Sequence, residues 1–179
     1  MSSTLQSGPR NTRELLVSFI DLSSYTRDAH RTDEATLADR VDAYYELVAG
    51  RVQSVGGVVV KFIGDGTLLV FPTEQADAAV QALIGLKTDV DARMKEVGWE
   101  SRLVVKVHAG TVVAGGYGAA GAKTFDVIGD TVNVAARLQT RGFAVSPQVF
   151  RLLSKEQRQL LKKHTPPVLY IPVDEHRPG

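Results

Sequence analysis

"GGVVVKFIGDGTLLVF", residues 56–71, is two apolar runs about a Gly-Asp-Gly turn. An Asp flanked by glycines between β-branched runs is the signal of a tight hairpin. Long amphipathic segments lie on either side of it. From Glu34 to Val55, Leu37, Val41, Tyr44, Tyr45, Val48 and Val52 recur at helical spacing. "EQADAAVQALIGLKTDVDARMKEVG" (74–98) reads as a second long helix. "ELLVSFID" (14–21) is a short apolar run before the first helix and reads as a buried strand. Beyond the second helix, "SRLVVKVHAG" and "TVVAGGYG" read as a strand pair, "KTFDVIG" as a short strand, and "DTVNVAARLQ" (130–139) as a helix capped by Asp130 or Thr131. "SPQVFRLL", a Lys/Gln-rich helix near 154–163 and a last strand "PVLYIPV" complete the chain. Long helices between strand pairs predict an α+β fold, with helices on one face of a mostly antiparallel sheet. Residues 1–13 read as a flexible polar tail and 14–179 as one domain.

Bulk composition narrows the function. The chain has 179 residues, enough for one domain with a full core, and a net charge of +1, which gives no reason to expect a nucleic-acid or membrane partner. With Cys 0, disulfides, thiolate metal sites and a thiol nucleophile are excluded. No apolar stretch approaches the roughly 20 residues that span a bilayer, and the N-terminus lacks a signal-peptide core, so a cytoplasmic location is the default expectation.

The charged residues inside the apolar runs carry the chemistry. Asp21 closes the first strand and Asp65 sits in the hairpin turn. Each has an ordinary explanation, a cap for the turn "DLSSYT" or a common hairpin residue. Together they differ, because both stand at the ends of very apolar strands, where a bare carboxylate is poorly solvated. If those ends are neighbours, two oxygen ligands converge, which suits Mg²⁺. Lys61 lies four residues before Asp65 and the pleat predicts one face for both. At about 3.3 Å per residue they stand about 13 Å apart, too far for an ion pair. A snorkelling edge lysine is the ordinary alternative, weakened by its apolar neighbours.

Other motifs are discounted. "GYGAAG" (116–121) matches G-x-G-x-x-G, but a strand and turn follow rather than a helix, and Arg141 stands where an acid is required. It reads as a glycine hairpin arm. There is no phosphate-binding G-x-x-x-x-G-K-[ST] loop. His30, His108, His164 and His176 show no ligand spacing and read as bystanders. Asn133 and Arg137 are spaced i, i+4 and share a helix face, with Val132, Val134, Ala135 and Leu138 on the packing side.

"VSFIDLSSYT", "VVKFIGDGTLLVF", "VKVHAGTVVAGGYG" and "FDVIGDTVNVAARLQ" together resemble, in order and spacing, the signature blocks of the class III nucleotidyl cyclases. The resemblance covers residues 14 to 153. It implies a ferredoxin-like βαββαβ core with additional strands and helices, an antiparallel sheet covered by helices, and two such domains paired head to tail with the active sites between them. In that reading Asp21 and Asp65 match the two metal-binding aspartates, and the backbone carbonyl of Leu22 a third metal contact. Lys61 and Asp126 match the base-selecting pair. Asn133 and Arg137 match the residues that orient the ribose and stabilise the transition state. The cofactors implied are two divalent ions, Mg²⁺ or Mn²⁺, and the substrate a nucleoside triphosphate. All six side chains are present, so a homodimer could hold two complete sites, with Lys61 and Asp65 serving different ones.

Base choice follows from hydrogen-bond polarity. Lys donates only and ionised Asp accepts only, which matches the N1 acceptor and 6-amino donor of adenine. Guanine reverses both, and a GTP site in the family typically carries Glu at position 61. ATP is therefore the expected substrate and 3′,5′-cyclic AMP the product. The alternatives are a guanylyl or relaxed-specificity cyclase, and a nucleotide-binding dimerisation module without turnover. Ser24 stands where relatives often have Gly, and Tyr25 where Phe is usual. The family's triphosphate lysine corresponds to Lys162 or Lys163 in "LLKKHTPPVLYIPV", where the accompanying glycine is absent. No regulatory domain is recognisable in the sequence, which reads as either a stand-alone cyclase or a catalytic fragment, with a regulatory domain or partner as a possible addition.

Overall fold

The computed structural model describes residues 9–175. Strand β1 (Asn11–Ser23) is followed by a one-turn helix α1 (Tyr25–Ala29) and the 20-residue helix α2 (Glu34–Gln53). The hairpin β2 (Val58–Ile63) and β3 (Gly66–Pro72) comes next, then helix α3 (Ala76–Glu96) and strand β4 (Arg102–Ala119). These elements pair in the order β2-β3-β1-β4, the ferredoxin-like core expected from the resemblance. The remainder is β5 (Ala122–Ile128), α4 (Asp130–Arg137), β6 (Phe143–Val145), α5 (Pro147–Leu152), α6 (Lys155–Gln159), β7 (Leu161–His164) and β8 (Leu169–Pro172). They extend the sheet to β4-β6-β8-β7, with β5 also paired to β4. All pairings are antiparallel except β4 with β6.

Helices α2 and α3 pack on one face through Val48, Leu83, Leu86 and Val90 against Leu16, Ile20, Leu69, Phe71 and Val105. The opposite face is also covered, contrary to the one-sided arrangement expected. There, Leu15, Val17, Leu68, Val70 and Val112 meet Val127 of β5 and Ala135 of α4. Burial of both faces explains why "LLVSFI" and "TLLVF" are near-continuous apolar runs rather than alternating ones.

Four local expectations are corrected. The run 102–119 is one strand, not two. Gly110 does not mark a turn; a Cβ there would stand 2.7 Å from Thr131 Oγ1, so the glycine admits the close approach of α4. Helix α4 is capped at Gly129 and ends at Arg137. Thr131 does not cap it, because its hydroxyl donates to the Thr111 carbonyl at 2.7 Å. The predicted helix over 154–163 stops at Gln159, and Lys162 and Lys163 lie on β7. Finally, residues 11–13, placed in the tail by the sequence, belong to β1. His176 lies outside the described residues.

Two backbone conformations shape the site. The hairpin loop is the two residues Gly64 and Asp65 closing the pair Ile63 and Gly66, with Gly64 at φ 61°. A side chain at that position would strain the loop. Ser24, between β1 and α1, is the one non-glycine residue at positive φ (62°) among those described. Holding it there costs about 1 kcal/mol, a local strain next to Asp21 and Leu22.

Candidate active site

The ends of β1 and of the β2–β3 hairpin meet. The β1–β3 ladder runs to Ile20 opposite Thr67. One step further, the Leu22 amide donates to the Asp65 carboxylate at 3.2 Å in place of the next ladder bond. Asp21 stands beside it. The alternation of β1 turns Asp21 to the α4 side of the sheet, with Leu15, Val17 and Phe19. Its Oδ1 is buried and has no hydrogen-bond partner among the described residues. Burial raises the Asp21 carboxyl above the usual range; the Lys106 ammonium opposes the rise and the Asp65 charge adds to it.

A buried carboxylate oxygen without a donor lacks its natural partner, and a cation is the partner that two adjacent acids select. Asp21 and Asp65 therefore fit a divalent ion. The described residues contain no cluster of three His, Cys, Asp or Glu side chains able to hold a metal, so further ligands would come from backbone, water or substrate phosphate.

One prediction follows from this burial. Asp21→Asn is expected to raise the thermal midpoint of the protein in EDTA near pH 8, and the gain should shrink toward pH 4. The sign follows from the raised carboxyl. Its protonated form is tolerated, so the penalty is absent below the unfolded pKa and is incurred as pH rises through the folded one. A melting series across pH checks this; an unchanged midpoint at pH 8 would contradict it.

Lys61 does not sit as the simple pleat predicts. The β2–β3 register shifts between Val59 and Lys61, leaving Val60 as the extra residue of a bulge. The shift sets Lys61 opposite Leu68, whose side chain lies on the α4 side. There the Lys61 ammonium pairs with Asp126 of β5 at 2.6 Å, ruling out the free snorkelling lysine. The other Asp126 oxygen accepts from the Val127 amide at 2.8 Å. Asp65 is a loop residue, so no strand face is shared with Lys61.

Asn133 and Arg137 both project, exposed, from α4, which is seated by buried Thr131 and Ala135. Neither side chain has a hydrogen-bond or ion-pair partner among the described residues. The two candidate lysines separate. Lys162 lies opposite Ile171, which packs with Leu138 at the end of α4; its ammonium donates to the Val173 carbonyl at 2.7 Å. Lys163 lies opposite Tyr170, which stacks on Phe150 on the other face.

Sequence reading missed two residues here, Lys106 and Asp28, and took a third, His108, as a bystander. Lys106 reaches from β4 to the Ala136 carbonyl of α4 at 3.4 Å and acts on Asp21. Its signal was available, since it interrupts the apolar run "LVVKVHAG" as Lys61 interrupts its own. Asp28 of α1 is buried and accepts from the Ser101 amide (2.9 Å) and hydroxyl (2.6 Å), anchoring the segment that follows Asp21. His108 is buried against the Ser146 hydroxyl at 2.9 Å. It stands opposite buried Val17 in the β1–β4 pairing, and no group of three metal-ligating side chains forms among the described residues.

The profile described as "Adenylate and Guanylate cyclase catalytic domain" matches residues 9–168. Adenylate cyclase 2 of Rhizobium meliloti (strain 1021) is 31% identical over 157 residues, covering 84% of this chain and 42% of that protein. The chain spans less than half the length of the curated relatives it matches. Among solved structures, a bacterial light-regulated adenylyl cyclase superposes with a TM-score of 0.83 at 19% identity, covering 97% of this chain and 56% of that one. The guanylyl cyclase Cya2 does so with 0.77 at 18%, covering 91% and 92%. No helix among the described residues is long and apolar enough to cross a membrane. Family match, relative and fold agree: the chain belongs to the adenylate and guanylate cyclase catalytic domain family.

Proposed function

We propose that two copies of this chain pair head to tail and convert ATP to 3′,5′-cyclic AMP and pyrophosphate, with two divalent ions, Mg²⁺ or Mn²⁺, in each site. The observation that carries the reading is the buried, unpartnered Asp21 oxygen beside Asp65. Asp21, Asp65 and the Leu22 carbonyl of one protomer hold the ions. Lys61, Asp126, Asn133 and Arg137 of the other complete the site. The large exposed apolar residues Ile63 (58%) and Ile128 (53%) flank the Asp65 loop and the start of α4, as expected of a face that pairs.

Bound divalent ions would lower the pKa of the ribose 3′-hydroxyl and neutralise the triphosphate. The chain's own residues do the rest. Lys61 donates to adenine N1, and Asp126 accepts from the 6-amino group; their ion pair opens to admit the base. Asn133 orients the ribose. Arg137, without a side-chain partner among the described residues, sets its guanidinium against the charge that develops at the α-phosphate. Lys162, on the α4 side of the sheet, is the better placed of the two lysines for the triphosphate tail. No side-chain general base is needed if the hydroxyl proton passes to substrate phosphate or to water.

The test is direct. The purified chain is incubated with ATP or GTP and with Mg²⁺ or Mn²⁺, and cyclic nucleotide and pyrophosphate are quantified. Cyclic AMP in preference to cyclic GMP, at a specific activity that rises with protein concentration, is expected. Nucleotide binding without product at high protein concentration would overturn the reading in favour of a non-catalytic module.

A further inference from the structure

The Asp65 loop is two residues long and stands at the end of a hairpin. Left alone it would be free to move relative to Asp21. Helix α2 grips it with consecutive tyrosines. The Tyr45 hydroxyl donates to the Gly64 carbonyl at 2.6 Å, and the Tyr44 hydroxyl donates to the Asp65 carbonyl at 3.2 Å. The Tyr45 ring stacks on Phe62, two residues before Gly64, with centroids 3.8 Å apart. Tyr44 is buried in the core at 3% exposure. From the other side, the Leu22 amide holds the Asp65 carboxylate. The loop is thus held by a long helix on one side and by β1, which carries Asp21, on the other.

Satisfying backbone carbonyls does not by itself account for both contacts. Gly64 is exposed, so water would serve its carbonyl as well as a phenol does. What a phenol on a 20-residue helix adds is a fixed position. A cavity of about 200 Å³ between α2 and α3 also opens on Tyr44, lined by Ala43, Leu47, Val90 and Met94.

We propose that Tyr44 and Tyr45 are positioning residues for cation binding: by holding the Asp65 and Gly64 carbonyls they fix the Asp65 carboxylate at the distance from Asp21 that a divalent ion requires. The inference rests on the metal reading of Asp21 and Asp65 given above. Neither tyrosine touches the ion or the nucleotide. Both act through the loop.

Tyr44→Phe, Tyr45→Phe and the double variant keep the rings, the stacking and the core, and remove only the hydroxyls. Mn²⁺ binding is measured by electron paramagnetic resonance on the full chain with a non-cyclising ATP analogue, beside thermal midpoints in EDTA. Asp65→Asn is the control. Each single variant should bind Mn²⁺ about 3- to 10-fold more weakly and the double variant about 30-fold, with the Tyr45→Phe midpoint within about two degrees of wild type. Unchanged Mn²⁺ affinity in the double variant would overturn the positioning role while leaving the metal reading intact. A loss of affinity only in samples whose midpoint falls in step would overturn it too, as a purely structural effect. Wild-type affinity in Asp65→Asn would instead bring down the metal reading, and the inference with it.

Discussion

Asp21→Ala and Arg137→Ala subunits, each inactive alone, are expected to recover about one quarter of wild-type activity when mixed in equal amounts. The figure follows from symmetry. If metal acids and Arg137 come from opposite protomers, a heterodimer has one site carrying both defects and one carrying neither. Random exchange makes half the dimers heterodimers, each with one working site of two. Asp21→Ala removes one of the two carboxylates proposed to hold the ions, and the other, Asp65, accepts from the Leu22 amide at 3.2 Å. Arg137→Ala should lower kcat far more than it raises KM if, as proposed, its guanidinium acts on charge that develops in the transition state. The measurement is cyclic AMP production by each variant and by the mixture, with dimer content established by sedimentation. Confirmed heterodimers without recovered activity would sink the interfacial arrangement.

The second large effect concerns the base. Lys61→Glu with Asp126→Cys is expected to shift the ratio of kcat/KM for ATP over GTP by about 100-fold or more toward GTP. In the parent, the Lys61 ammonium and Asp126 carboxylate are already paired at 2.6 Å, partly buried at 42% and 24% exposure. A base entering between them must offer an acceptor to one and a donor to the other. Adenine does; guanine presents a donor to the ammonium and an acceptor to the carboxylate, leaving both groups mismatched beneath the bound base. Lys61→Glu alone sets two carboxylates side by side and should lose activity with both nucleotides. Initial rates with ATP and GTP under Mn²⁺ decide the matter. An unchanged preference in the double variant would remove Lys61 and Asp126 from base reading.

Much of the fold was legible because its signals are local. The hairpin at 58–71 declared itself through a Gly-Asp-Gly turn that only a two-residue loop with Gly64 at positive φ satisfies. The two long helices followed from apolar spacing that survives anywhere a helix meets a sheet. The errors arose where one residue type serves two purposes. Gly110 read as a break, yet it makes room for Thr131 within an unbroken strand. Leu161–His164 is too short for a period to separate strand from helix, and only pairing with β8 decides it. Phe143–Val145 carries no pattern of its own and is a strand because β4 and β8 flank it.

The candidate site divides in the same way. The sequence pattern marked Asp21, Asp65 and Lys61 as charges in apolar runs and set Asn133 and Arg137 on one helix face, while Asp126 and the roles of all six were implied by the family resemblance. Tertiary structure decided which of them meet. The Val60 bulge turns Lys61 onto the α4 side, the β1 and hairpin ends bring Asp21 beside Asp65, and the opposed faces of β7 separate Lys162 from Lys163. Bulges, registers and the tyrosine grip on Gly64 and Asp65 depend on partners distant in the chain, and a periodicity read along one segment holds no information about the segment it will face.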